Sequence, residues 1–393
     1  MQEPVDGSAA RRLGHRPALD GIRGIAWGIV FCSHAFVLPL AIGQVGMFVF
    51  FALSGFLITG LLVEEHLRSG TVSLRNFFVR RGLRLLPGLA VFLFGWMVVV
   101  LATRGTAPWT TTVPGGGTGT GTAPWVGFQG VVAAVLYVTN WAEIWGWFSG
   151  YVPIGHLWSL AVEEQFYLLW SPVAALLLCR RGRAAVGWVA AAAAVASFVD
   201  IALHSHGGLS LRVDMGADTR AGAFLVGGAL AVAWSRGARW VQVLEGRWSP
   251  VVAAGALITL GWGAWVFDQN VSASLFTVTW VAVSVAAGIL VVAFLGDQPR
   301  SRSSIVDSPV AAYVGRRSYG LYLWHYVWLT WLASLGLLGV PLALLATFAT
   351  AEVSWRLVER PALSLKRRFA SVPSAPAVAE HAVTRKPLAD VAA

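Results

Sequence analysis

Long apolar runs, interrupted by short polar and arginine-rich clusters, make up most of the chain. Ten of them, near residues 20–41, 45–63, 87–103, 156–178, 184–203, 220–235, 250–267, 274–295, 317–336 and 339–357, approach or reach the roughly 17–25 residues that a helix needs to cross a bilayer. An eleventh stretch, VGFQGVVAAVLYVTNW at 126–141, is shorter. Backbone polar groups inside a bilayer must be satisfied within the spanning element itself, and separate apolar runs of this length do that as helices. The pattern therefore predicts an all-α, polytopic membrane helix bundle of about ten transmembrane helices, with 126–141 as a re-entrant or surface helix.

Charge decides that count. Short cytoplasmic loops are enriched in arginine and lysine. Arg11, Arg12 and Arg16 put the N-terminus inside, and the second span returns to Arg68, Arg75, Arg80, Arg81 and Arg84. If 126–141 does not cross, the clusters at Arg180–Arg183, Arg236–Arg247, Arg300–Arg317 and Arg356–Arg368 all face the cytoplasm as well. Ten spans with both termini cytoplasmic satisfies every cluster. Residues 1–18 then form a cytoplasmic tail, 19–369 the membrane domain with an external loop of about 104–155, and 370–393 a disordered tail. No cleavage signature precedes the first span, so it is expected to remain as an anchor. Chemistry is expected inside the bundle.

Composition agrees. Hydrophobic residues make up 56% and charged residues 12%, against about 25% charged in soluble domains. The net charge of +10 would suit a nucleic acid only if it were massed on a polar face; here it is scattered at span ends, so no nucleic-acid partner is expected. Cys32 and Cys179 lie in apolar stretches, so neither a disulfide framework nor a thiolate metal site is expected. No cluster with metal-ligand spacing is visible, so no metal is expected. Lys366 and Lys386 are the only lysines beside abundant alanine, a bias that points to a GC-rich bacterial genome and hence to a bacterial plasma membrane.

Ionisable groups within spans are costly and mark function. In LDGIRGIAWGIVFCSHA, Arg23 opens the first span and His34 follows eleven residues later, about 16 Å deeper at 1.5 Å per residue. A cation at the inner mouth and an imidazole at mid-membrane suit an anionic donor and a general base; the other reading of His34 is a hydrogen-bonded core histidine. In FVRRGLRLLP, Arg81 and Arg84 share a helix face; they either grip donor phosphates or snorkel to lipid. HLWSLAVEEQFYLLW buries Glu163 and Glu164 about 10 Å into a span, where a polar cavity or an arginine must receive them. His156 and Trp158 at its outer end suit a sugar. His325 lies near mid-membrane, Glu359 sits at the cytoplasmic mouth, and Arg220 opens the sixth span from outside.

Five stretches, LDGIRGIAWGIVFCSHA, FFALSGFLITGLL, FVRRGLRLLP, HLWSLAVEEQFYLLW and SYGLYLWH followed by ERP, span residues 19–361. In that order they resemble the acyltransferase-3 (OafA-like) family of integral membrane O-acyltransferases. The resemblance implies a ten-span bundle that moves an acyl group from cytoplasmic acyl-CoA to a hydroxyl of an outward-facing, sugar-containing acceptor. Arg23 and His34 match the family's paired arginine and histidine. Arg81 and Arg84 match its second arginine pair, for the CoA phosphates, and Glu359 matches its late glutamate. Acyl-CoA is then a co-substrate, with no permanently bound cofactor.

On this reading Arg23, Arg81, Arg84 and Glu359 serve the donor. His34 deprotonates the acceptor, oriented by Asp20 or by Glu163 or Glu164, or else carries the acyl group itself. Ser54, Trp158, His156, His325 and Arg220 line the substrate path. The lipid bilayer is the remaining partner. A secondary transporter of an anionic or sugar substrate is the competing function, although no matched pair of Gly/Pro-broken segments supports one.

Overall fold

The computed structural model describes residues 11, 13–14, 16–102, 124–148, 154–205, 210–269, 271–296 and 305–365. Among these residues every regular element is helical. Helix α1 (Pro17–His34) carries proline at its first position, where the missing N–H costs nothing. A tight turn leads into α2 (Leu40–Ser69), and α3 (Leu74–Ala102) follows. Next come α4 (Pro124–Val135), α5 (Thr139–Ile144) and a 3-10 turn, Gly155–Leu157. There follow α6 (Trp158–His204), α7 (Leu211–Met215), α8 (Ala217–Ser235), α9 (Arg239–Glu245), α10 (Ser249–Phe267), α11 (Ala273–Ala293), α12 (Pro309–Leu332) and α13 (Gly339–Ser354), with 3-10 turns at Ile305–Asp307 and Ala333–Leu338. A π-helical turn, Trp355–Glu359, and the short α14 (Arg360–Ser364) close the described chain.

Among the described residues, six helices or continuous helical runs are long and apolar enough to cross a membrane, or seven if the sharply bent α8–α9 pair counts as one span. The ten expected from the sequence exceed this number for two reasons. Two of the runs, Gly155–His204 and Pro309–Ser364, are each far longer than one crossing requires. Helix α1 has only 18 residues and includes Asp20, Arg23 and His34, so its polar content keeps it out of the set. The expected external segment is described only at 124–148 and from 154; its Gly-rich part lies outside the described residues. Helix α4, at 12 residues, is about 18 Å long and too short to cross alone.

The longest helix reverses direction in its middle. Gly182 has φ 78°, a left-handed conformation that glycine adopts without a Cβ penalty. The arm before it runs parallel to α2, because Ser54 meets Glu163 and Thr59 meets Trp170. The arm after it runs antiparallel to α8, with Arg183 on Ser235 and Ser197 on Thr219. Helix α8 itself runs parallel to α2, its Arg220 beside Phe48 and its Gly228 beside Thr59. The two arms of α6 are therefore antiparallel.

Helices α1 and α12 pack in parallel at very short range. A Cβ added to Gly24 would lie 2.3 Å from the Ala311 carbonyl oxygen, and one added to Gly315 would lie 1.7 Å from that of Asp20. Small residues permit such approaches, which drive helix association in lipid by close packing. This contact sets His34, at the end of α1, beside the middle of α12.

Candidate active site

Three buried or half-buried histidines meet where α1, α12 and the Gly155–Leu157 turn converge. His34 Nδ1 is 2.8 Å from His325 Nε2, with the rings stacked at 5.1 Å and 15°. His325 is fully buried, and its Nδ1 lies 2.6 Å from the carbonyl oxygen of Tyr322, one turn earlier in α12. His156 donates from Nε2 to the Leu323 carbonyl at 3.2 Å, and its ring centroid is 5.4 Å from that of His325. Tyr326 packs on both His34 and His156, at 5.2 and 5.1 Å. Among the described residues, no group of three His, Cys, Asp or Glu side chains is placed to hold a metal ion.

Tyr322 connects this cluster to a cavity of about 540 Å³, within the range of small-molecule sites. Its hydroxyl donates to the His156 carbonyl and accepts from Ser159 Oγ at 2.5 Å. The cavity runs from Ser159 and Tyr322, between apolar walls from α2 and α3, to Arg23, Arg68, Arg80 and Arg84. Arg80 is paired with Glu65 at 3.0 Å, and Arg68 with Glu64. Arg23 is 3.5 Å from Asp20. Arg84 faces the cavity with no ion-pair partner among the described residues.

Arg81 is engaged differently. Its Nε donates to Glu164 at 3.0 Å, its Nη2 is 3.5 Å from Glu163, and its guanidinium lies 3.3 Å over the Tyr167 ring. Glu163 also accepts from Ser54 at 2.6 Å and from the Tyr167 hydroxyl. The glutamates and Ser54 thus form one polar knot with Arg81 on the cavity wall; none of them is brought to His34. Asp20 is not brought there either. It stands fourteen residues before His34 on the same helix, about 21 Å along the axis, and pairs with Arg23. The partner that His34 does have is His325.

Other expected site residues occupy different surroundings. Arg220 is fully buried, held by Asp214 and by Gln44 at 2.5 Å, with Trp280 at 4.5 Å and Trp158 at 5.4 Å from its guanidinium. Trp158 therefore packs in this cage rather than on the histidines. Glu359 is not an exposed mouth residue: it is buried in the π-helical turn, accepts from Ser354 at 2.9 Å, and packs beside Gly88 of α3 and Gly320 of α12. Outside the long helices, Glu143 of α5 lies against Gly155, and burial pushes its carboxyl up to about 7.

A family described as an acyltransferase domain matches residues 16–358. The chain belongs to the acyltransferase-3 family. Among curated relatives, a Staphylococcus aureus (strain MSSA476) protein provisionally named an O-acetyltransferase is 29% identical over 376 residues, covering 89% of this chain and 58% of its own length. O-acetyltransferase OatA of S. aureus strain NCTC 8325 is 30% identical over 371 residues, covering 88% and 57%. The chain thus spans less than three-fifths of the length of these relatives. No solved structure matches it.

Membership of the acyltransferase-3 family favours an enzyme over a transporter. Within the family's matched region, sequence reasoning singled out His34, His156 and His325 separately but missed Tyr322 and Ser159, which join them to the cavity. Tyr322 precedes His325 by three residues, the spacing of one helical turn, and that was the available signal. Tyr167, four residues after Glu163, was equally legible as its same-face partner.

Proposed function

We propose that this acyltransferase-3 protein is a membrane O-acyltransferase that moves an acetyl or other short acyl group from cytoplasmic acyl-CoA to a hydroxyl of a sugar-containing acceptor. The observation that carries this reading is one continuous path. It begins at Arg84, which has no ion-pair partner among the described residues, and ends at Tyr322, whose backbone holds His325, which in turn holds His34. The arginines receive the donor's phosphates and the apolar walls take its pantetheine arm. His34 accepts the proton of the acceptor hydroxyl as oxygen attacks the thioester carbonyl. The carbon–sulfur bond breaks, and the proton passes to the leaving thiolate. The hydroxyl acceptor is supported by relatives named as O-acetyltransferases, and a sugar by the exposed, adjacent indoles of Trp145 and Trp147.

We take the chain to cross a bacterial plasma membrane ten times, with both termini in the cytoplasm. Support comes from the reversal at Gly182 and from Gly336, which at φ 57° breaks the run between α12 and α13. Each such break converts one long run into two crossings. Arginine clusters at Arg180–Arg183 and at Arg356 and Arg360 then fall on the same side as those of α3.

The test is thioester loss from radiolabelled acetyl-CoA by the purified protein in lipid nanodiscs. Slow hydrolysis above the no-protein rate, saturating with acetyl-CoA, is the expected result. No CoA binding and no turnover with acetyl or longer donors overturns the reading. Arg84→Ala should raise the KM for acetyl-CoA about tenfold or more, because a hydrogen bond to a charged group contributes about 1.5–3 kcal/mol. Its kcat should remain near that of the wild type. Kinetics over an acetyl-CoA series separate the two parameters.

A further inference from the structure

We infer that His325 is a positioning residue that fixes the tautomer of His34, leaving the Nε2 of His34 as the bare nitrogen that accepts the hydroxyl proton. The inference rests on the acyl-transfer reading for its purpose, but its geometry stands independently.

The argument runs outward from the backbone of α12. A carbonyl oxygen can only accept a hydrogen bond, so the 2.6 Å contact between His325 Nδ1 and the Tyr322 carbonyl requires a proton on Nδ1. A neutral imidazole carries one N–H, and His325 Nε2 is therefore an acceptor. It faces His34 Nδ1 at 2.8 Å, so that nitrogen is the donor. The remaining nitrogen, His34 Nε2, then has a free lone pair, and no described residue bonds to it. Both rings are neutral at rest in this arrangement. His325 is fully buried and no carboxylate touches either ring among the described residues, so a resting charge there would be uncompensated.

One ring nitrogen is set by the hydrogen bond that the other makes. In serine hydrolases a buried aspartate holds the catalytic imidazole in this way. Here a second imidazole takes that place, and its own orientation comes from an i to i−3 contact built into the helix. When His34 accepts a proton at Nε2, its Nδ1–H bond to His325 becomes charge-assisted and strengthens. The Nδ1 proton can also move to His325, which then donates from both nitrogens, to His34 and to the Tyr322 carbonyl. A positive charge can thus be shared between two rings without a permanent anion in the bundle. His34 is the less buried of the pair, as the ring that meets substrate must be.

Two variants and two measurements test this. His325→Phe keeps a ring in place but offers no acceptor, whereas His325→Gln offers Oε1 to His34 Nδ1–H. Nitrogen-15 solid-state NMR of histidine-labelled protein in nanodiscs, with His34 assigned by difference against His34→Gln, reads the tautomer directly. The wild type should show His34 protonated at Nδ1 and bare at Nε2, with a mixture appearing in His325→Phe. For acetyl-CoA hydrolysis, kcat in His325→Phe should fall at least about tenfold with KM unchanged, and His325→Gln should recover most of both the tautomer and the rate. A wild-type His34 protonated at Nε2 would overturn the inference, as would a folded His325→Gln variant no better than His325→Phe. If the tautomer is as stated and the wild type turns over no acyl-CoA, the positioning role stands and the acyl-transfer reading fails.

Discussion

Replacing His34 with alanine is expected to lower acetyl-CoA turnover by roughly 10²–10⁴-fold, the usual contribution of a positioned general base, while leaving CoA binding intact. The physical basis is separation of tasks along one helix. Arg23 lines the cavity near the start of α1, whereas His34 ends that helix against His325. On the proposed reading, truncating the imidazole removes the proton acceptor without touching the cavity arginines assigned to the donor's phosphates. Equilibrium binding of CoA and steady-state hydrolysis, measured on the same nanodisc preparation, separate the two effects. Loss of both together would place His34 in donor binding. Retention of both would remove it from the chemistry.

The second large effect is structural. Gly315→Leu should abolish recovery of monodisperse protein, and Gly28→Leu should not. A Cβ on Gly315 would lie 1.7 Å from the backbone oxygen of Asp20, a partner that cannot rotate away, so α1 and α12 must separate to admit it. Overpacking of a few atoms in a tight core already costs about 1–3 kcal/mol, and this contact is with backbone. Gly28 lies on the same α1 helix, yet a Cβ there meets nothing within 4 Å. Size-exclusion profiles of the two variants, extracted in parallel, provide the comparison. A well-behaved Gly315→Leu protein would contradict the observed packing of α1 on α12.

Hydropathy made the bundle legible because spans must be apolar over a fixed length, and Arg180–Arg183 marked the reversal that Gly182 makes. Pairings were harder to read. Glu163 and Glu164 announced a cavity or an arginine through their burial cost, but adjacent helical residues point in different directions, so their shared attachment to Arg81 required the fold. Asp20 was legible as an i, i+3 neighbour of Arg23 and could not also reach His34 along a straight helix. Glu359 looked superficial beside Arg356 and Arg360. The π-helical turn instead carries it into the interior while Arg356 pairs with Glu352. Contact between His34 and His325 spans 291 residues, and no local periodicity encodes that.

That last separation has a temporal meaning. A chain grows at about 5–20 residues per second, so roughly 15–60 s pass between the synthesis of the first ring and that of its partner. Throughout this interval the Gly24 face of α1 lacks the α12 backbone that packs on it in the finished fold, and no partly made chain can possess the histidine pair. The pair is completed only once α12 has been made, so a ribosome that stalls before α12 leaves a product in which His34 lacks this neighbour.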